Sequence, residues 1–127
     1  MKTNIIRIIM KVLPEKQKEV LQTLLSLIEP QGKESGCMNF GIFCDIGNRD
    51  IFNLISEWET RGHLDHHIMS DRFGVLLGTK SLLCEPLKIQ IVTASDAEGI
   101  EAVYCIRKKV KLISPLSAAF PKSFSEI

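Results

Sequence analysis

A tryptophan and a histidine nine residues apart are the side chains in this sequence best suited to chemistry. Trp58 stands at the end of a predicted strand, and His67 lies on the predicted helix that follows. A histidine can take up a proton near neutral pH, and an indole offers a flat wall on which an aromatic ring can stack. Together they predict a dry, apolar site in which His67 is the base and Trp58 the stacking wall for an aromatic substrate.

Both residues also have a structural interpretation. Trp58 is equally suited to a core or a dimer contact, and His67 to a partly buried ring that donates to a backbone carbonyl. Arg72 is a candidate anchor for an anionic substrate oxygen, although a surface charge is the commoner role of an arginine. Phe73 is a candidate substrate contact, and so is Asn39, for which the pattern does not decide which face of its strand it occupies.

The remaining aromatic, histidine and cysteine residues predict packing rather than chemistry. His63 and His67 have the i,i+4 spacing of a helical metal site, but His66 projects about 100° away from His67 and no fourth ligand is evident. No metal and no other cofactor is therefore expected. The cysteines form no CxxC pair, which predicts reduced, buried thiols. The residues expected in the core on these grounds are Phe40, Phe43, Cys37, Cys44, Cys84 and Cys105.

Length and composition predict one small globular domain. The 127 residues are 45% hydrophobic and 24% charged, with 16 basic residues against 15 acidic ones. A net charge of +1 does not indicate a nucleic-acid-binding protein. The basic run at 107–111 is typical of a solvated, positively charged end. Arg7 interrupts the apolar run at 5–10, which argues against a signal peptide, and no stretch is long enough to cross a membrane. We expect a cytoplasmic protein.

Strand and helix patterns alternate along the chain in a way that brings these residues together. Apolar residues recur at alternate positions in the predicted strands, and at helical spacing between them. Ser70 is a predicted N-cap that divides the second helical region into two pieces. The predicted strands cover 4–13, 38–45, 51–58 and 87–92, and the predicted helical regions cover 14–30 and 60–83.

This order predicts a ferredoxin-like α+β fold, βαββαβ, with a four-stranded antiparallel sheet and two helices on one face. Two helices leave the other face of the sheet uncovered, including Ile5 and Ile9. Burying that face predicts a homodimer in which two sheets pack face to face. Residues 1–94 would form this domain. Residues 95–127 would form a C-terminal extension, in which the capping box at 95–98 favours a short helix over a strand, followed by a loosely ordered tail.

The predicted hairpin of the second and third strands, together with the helix after it, resembles the antibiotic biosynthesis monooxygenase family. Members typically show a strand that ends in Glu-Trp, a histidine nine residues beyond the tryptophan, and a Ser-x-x-Phe directly after it. Here Trp58, His67, Ser70 and Phe73 have this spacing. The resemblance extends over roughly 5–92, and it implies a dimeric α/β-barrel fold. The segments that carry it are Gly36–Cys37, Phe52–Trp58 and Leu64–Phe73.

The resemblance implies a range of functions rather than one reaction. Members include cofactor-free oxygenases of quinols and anthrones, haem-degrading enzymes, and proteins with no established activity. Leu54 and Leu64 stand near where the anthrone oxygenases have an asparagine and a tyrosine, and Leu77 stands near the expected haem-ligating histidine. We therefore expect a cofactor-independent monooxygenase acting on a quinol or another electron-rich aromatic. The alternatives are a non-catalytic dimeric module that binds a small ligand or a partner protein, and a metal-dependent enzyme.

Overall fold

The computed structural model of the chain describes residues 2–112, with side chains described outside 29–32 and 110–112. The predicted tail at 114–127 lies outside the described residues. Contacts divide the chain into two compact units, Met1–Asp96 and Ala97–Ile127. The strands are β1 Thr3–Lys11, β2 Cys37–Cys44, β3 Ile51–Trp58 and β4 Lys88–Ala94, and the helices are α1 Gln17–Gly32, α2 Arg61–Ile68, α3 Asp71–Gly78 and α4 Ile100–Leu112. Short 3-10 turns precede α1 and follow α3.

The four strands form one antiparallel sheet in the order β2-β3-β1-β4. β1 and β3 are its central strands, and the register places Asn4 opposite Trp58 and Ile8 opposite Leu54. The predicted α+β, ferredoxin-like fold is confirmed. The division of the second helical region is also confirmed, because the Ser70 hydroxyl caps α3 by accepting from the backbone N–H of Phe73.

The core lies between the sheet and the helices on one of its faces. Even-numbered residues of β1 and β3 point into it, as the alternation of the sequence predicts. α1, α2 and α3 contribute apolar side chains at helical spacing, and these side chains form one buried stripe along each of the three helices. The buried apolar cluster consists of Ile6, Ile8, Met10, Val12, Val20, Leu24, Phe52, Leu54, Trp58, Leu64, Phe73 and Leu76.

The opposite face of the sheet, here called the open face, carries the odd-numbered residues of β1 and β3. Ile5, Ile9 and Ile55 are half-buried there. Phe43 shares this face and is 56% exposed, with its ring lying over Gly41, so its prediction as a core residue is wrong. The alternating pattern around Phe43 correctly predicted a strand, but Phe43 lies on the face of the sheet opposite to α1, α2 and α3.

The cysteines also differ from their prediction as buried thiols. Cys44, Cys84 and Cys105 are exposed, and Cys37 is half-buried beneath the helices. All of these described thiols are free, as predicted. The thiols are exposed because Cys44 ends an edge strand, Cys84 lies in the connection before β4, and Cys105 is on an exposed surface of α4.

In the second unit, the segment after residue 97 forms a helix rather than a strand, which is the alternative that the sequence favoured. α4 begins at Ile100, two residues beyond the predicted capping box at 95–98, and exposes Ile100, Val103, Tyr104 and Ile106. In the described part of the chain, no helix combines the length and the apolar character that a membrane crossing requires.

Candidate functional site

Trp58 lies at the end of β3, on the helix-covered face of the sheet. It is paired with Asn4 on β1 and with Cys37 on β2, and its side chain is fully buried. The indole N–H donates to the hydroxyl oxygen of Ser56 at 2.9 Å, which satisfies its one polar group inside the core. The ring is therefore fixed in position by a hydrogen bond and by packing.

His67 reaches the indole from the last turn of α2. The Thr60 hydroxyl caps this helix by accepting from the backbone N–H of His63, and Leu64 and His67 form its buried side. The imidazole stacks on the Trp58 ring with centroids 4.5 Å apart and an angle of 24° between the planes. Phe73 from α3 contacts the same imidazole edge-on, at 5.3 Å and 83°. The histidine is thus held between two aromatic rings.

The third polar member of the site is Glu34, from the turn between α1 and β2. Its Oε2 lies 3.0 Å from Nδ1 of His67, and the two side chains are 8% and 3% exposed. The sequence pattern does not point to this glutamate, because Glu34 is 33 positions from His67 and shares no helical or strand periodicity with it. In the sequence, Glu34 is marked only by its position two residues before Gly36 and three before the first residue of β2.

The environment of His67 favours the neutral imidazole. Burial lowers the pKa of His67, because removing the ring from water penalises its charged form. The Glu34 carboxylate opposes this effect by charge and by hydrogen bonding, whereas the positive charge of Arg72 adds to it. The result is a buried base whose pKa is lowered from its ordinary value, with a carboxylate placed to stabilise its protonated form.

The structure brings together most, but not all, of the predicted site residues. Trp58, His67 and Phe73 are in direct contact, and Arg72 is half-buried within electrostatic reach of His67. Asn39 is not with them. It pairs with Glu57 on the open face and is exposed, next to a bulge in β2.

Asn4 is a second polar residue that the sequence analysis did not assign to the site. It is buried on β1 directly opposite Trp58, and its side-chain oxygen accepts a hydrogen bond from the Thr93 hydroxyl at 3.3 Å. The sequence does indicate that Asn4 is buried, because Asn4 occupies the same face of β1 as Ile6 and Ile8. A polar side chain on the buried face of a strand needs such a partner.

The geometry does not support a histidine-based metal site or a thiolate nucleophile among the described residues. No group of three His, Cys, Asp or Glu side chains within residues 2–112 is close enough to hold a metal ion. The ring of His63 lies against Gly36, and its Nδ1 is 2.8 Å from the Thr60 hydroxyl. Burial raises the pKa of the Cys37 thiol, which disfavours the thiolate.

The site is closed in this structure. Trp58 is 0% exposed and His67 is 2% exposed, so neither ring faces open solvent. A surface depression lies nearby, at the end of α1 and the start of β2, lined by Ile28, Cys37, Met38, Asn39 and Phe40. The arrangement can accept a proton in a dry, aromatic environment, provided that a substrate gains access to it.

Comparison with known proteins identifies relatives of this fold. The family model for antibiotic biosynthesis monooxygenases matches residues 4–76. YcnE of Bacillus subtilis, named provisionally as a monooxygenase, is 29% identical over 80 residues, which are 62% of this chain and 84% of YcnE. An uncharacterized Synechocystis protein, sll1783, is 27% identical over 91 residues, and the match spans 71% of this chain but only 62% of sll1783.

The solved structures agree with the family match. A conserved protein from Methanosarcina mazei superimposes with a TM-score of 0.68 at 32% sequence identity, over 72% of this chain and 92% of the other. The segment matched by the family model, residues 4–76, includes β2, β3 and α2 and most of β1 and α3, and so it includes the elements that carry Trp58, His67 and Phe73. The chain therefore belongs to the antibiotic biosynthesis monooxygenase family.

Proposed function

We propose that this protein is a cofactor-independent monooxygenase that oxidises a quinol or another electron-rich aromatic molecule. One observation carries the proposal: a buried histidine is stacked on a tryptophan, and its Nδ1 lies within hydrogen-bond distance of a largely buried carboxylate. An ion-pairing group inside a core is no more stabilising than apolar packing of the same volume. A titratable pair of this kind, with a perturbed pKa, is instead typical of a site that moves a proton.

The reaction would begin with proton transfer from the substrate to His67. The resulting phenolate or carbanion is electron-rich enough to pass electrons to dioxygen without a metal or flavin. One oxygen atom enters the substrate and the other leaves as water, so that the substrate supplies all the electrons. The dry environment favours this step, because water would stabilise the anion and slow its oxidation.

All of the predicted site residues except Asn39, which lies on the open face, have a place in this reaction. His67 is the general base, and Trp58 and Phe73 are the aromatic walls of the substrate pocket. Arg72, in the first turn of α3, would hold the anionic oxygen of the deprotonated substrate. The indole face is covered by the His67 ring in the closed form, so substrate entry requires α2 and α3 to move away from β3.

A homodimer is part of the proposal. Side chains on the open face, among them Ile5, Ile55 and Phe43, are half-buried or exposed. Pairing this face with the same face of a second copy would remove these apolar groups from water. Two packed sheets would also make the sheet rigid, which leaves the helices as the movable side of each site.

The close packing of both rings favours a second candidate function, a non-catalytic module of the same fold that binds a small ligand or a partner protein. In that case the Trp58 and His67 rings are core residues, and the depression near Ile28 and Met38 is the better candidate for binding. Oxygen consumption separates the two functions, because only the enzyme would need His67 for turnover.

The test is oxygen uptake by metal-stripped protein with a panel of naphthohydroquinones and anthrones, corrected for autoxidation. We expect uptake above the blank, and a fall of about 100-fold or more in kcat for His67→Gln. His66→Gln is the matched control, because His66 is exposed on the same helix, and it should retain the wild-type rate. Uptake equal to the blank across the panel in folded protein would reject the oxygenase and favour the binding module. Equal loss in both variants would reject His67 as the base.

A further inference from the structure

The open face of the sheet carries charged side chains among its apolar ones. Arg7 lies in the middle of the central strand β1 and is exposed, with Ile55 opposite it on β3 and Gln90 opposite it on β4. Covering this face with a second copy would bury its charges as well, which is costly unless each charge meets a partner. Within the strands, all of which the structure describes, the charged residues of this face are Arg7, Lys11, Glu57 and Lys88.

The lysines of this face already have a partner in their own chain. Nζ of Lys11 lies 3.5 Å from Oε1 of Glu85, and Nζ of Lys88 lies 4.0 Å from Oε2 of the same carboxylate. Among the side chains that the structure describes, neither Arg7 nor Glu57 takes part in an ion pair. The open face therefore retains a positive and a negative charge that the fold of a single chain does not pair.

The positions of Arg7 and Glu57 suit a two-fold symmetric contact. Arg7 is opposite Ile55 and Ile5 is opposite Glu57, so these side chains form a block with the isoleucines on one diagonal and the charges on the other. Diagonal neighbours on one face of a sheet lie about 7–8 Å apart. A two-fold axis along the isoleucine diagonal would place each arginine over the glutamate of the other copy, and isoleucine over isoleucine.

We propose that Arg7 of each copy forms an ion pair with Glu57 of the other copy across the open faces, and that these ion pairs set how the two sheets are aligned. This inference rests on the homodimer of the proposed function and names the contacts that orient it. Sheets packed face to face lie about 10 Å apart, a gap that an arginine and a glutamate reaching from opposite sides can bridge. Both charges are satisfied in one alignment only, which gives the interface its specificity.

Charge reversal at each position, alone and in a mixture, tests these ion pairs. Arg7→Glu alone places acidic side chains opposite each other at each contact, and Glu57→Arg alone places basic ones there. We expect the dissociation constant of each variant to rise at least about 100-fold over that of the wild type. In an equal mixture, the two variants again bring an acidic group opposite a basic one at both contacts. The mixed dimer should therefore form with a dissociation constant within about tenfold of the wild-type value.

The control is a mixture of Arg7→Glu with Glu15→Arg. Glu15 is exposed in the turn before α1, so this mixture has the same net charges but keeps one contact between two acidic groups. It should not form the tight mixed dimer. Sedimentation velocity with one variant fluorescently labelled measures the association in both mixtures, and native mass spectrometry identifies the mixed species.

Neutral variants keep the test decisive if a reversed variant does not fold. Arg7→Gln and Glu57→Gln should each weaken the dimer, because each leaves the other charge buried without a partner. The double variant should be weakened less than the product of the two single effects, by at least about fivefold. Purely multiplicative effects would contradict the ion pairs.

The outcomes separate the ion pairs from the homodimer itself. A wild type that stays monomeric at high concentration would overturn both. A dimeric wild type whose reversal variants associate equally well would overturn the ion pairs alone, and so would a rescue mixture that associates no more tightly than the control mixture. Oxygen uptake is measured independently of these results and tests the role of His67.

Discussion

At the scale of single residues, the protonation of His67 links the candidate site to the stability of the fold. Burial lowers the pKa of His67 below its ordinary value of 6.5, with Arg72 acting in the same direction and Glu34 against it. The unfolded chain therefore binds a proton at His67 more strongly than the folded protein does. This difference makes the free energy of unfolding depend on pH.

We expect His67 to contribute its full stabilisation above pH 6.5 and to lose it as the pH falls from 6.5 through the folded pKa. The reason is that the unfolded state gains its proton first, while the neutral ring of the folded state does not. Urea unfolding of the wild type and of His67→Gln at several pH values between 8 and 5 measures the effect. Parallel profiles for the two proteins in this range would show that the histidine is not buried as the neutral base.

Individual site residues differ in how far the sequence could predict them. His67 follows Leu64 by three positions on a helix, and this local spacing placed it correctly at the buried side. Its contact with Trp58 follows from the family spacing. The Glu34 contact joins distant parts of the chain and depends on how one turn is folded, which no periodicity encodes. Asn39 could not be assigned to a face, because the bulge between Cys37 and Asn39 changes the alternation at that point.

At the scale of elements, the turn between α1 and β2 is the segment on which the site geometry depends most. Gly36 allows the turn both its left-handed backbone and its close approach to His63. The same turn supplies Glu34. Strain introduced here would therefore affect stability and the position of the carboxylate together.

We expect Gly36→Ala to lower the free energy of unfolding by roughly 1–3 kcal/mol or more, because the new methyl group meets both a positive φ and the imidazole of His63. Gly74→Ala is the contrasting variant. Gly74 lies within α3 and has open space around it, so alanine should stabilise the protein by roughly 0.5–1 kcal/mol. Chemical denaturation measures both changes. An equal effect of the two substitutions would contradict the close packing of this turn.

The elements themselves were largely predictable. Alternation identified all of the strands, and the third was predicted with its observed bounds, Ile51–Trp58. The capping hydroxyl of Ser70 identified the break between α2 and α3. Alternation assigns a side chain to a face but does not say whether that face is covered. This is the physical reason that Phe43 was expected in the core and is exposed.

At the scale of the whole molecule, the open face predicts self-association through the sheet. Phe43 on this face and Leu25 on the outer surface of α1 are both 56% exposed, so Leu25 is a suitable control position for a substitution at Phe43. We expect the wild type to sediment as a dimer. Phe43→Glu should weaken the dimer at least about tenfold, or ~1.4 kcal/mol, because the charge would be buried at the interface, and Leu25→Glu should not.

Sedimentation equilibrium over a range of protein concentrations measures both dissociation constants. A monomeric wild type at high concentration would exclude the proposed assembly. Weakening by Leu25→Glu alone would instead place the interface on the helices.

The stack of His67 on Trp58 also gives the protein an internal optical probe. Trp58 is the single tryptophan of the chain, so its emission comes from one fully buried site. A protonated imidazole accepts an electron from an excited indole and quenches its fluorescence, whereas a neutral imidazole does so far less. With the two rings 4.5 Å apart, the brightness of the protein reports the charge of His67, and any movement of α2 away from β3 changes the same signal.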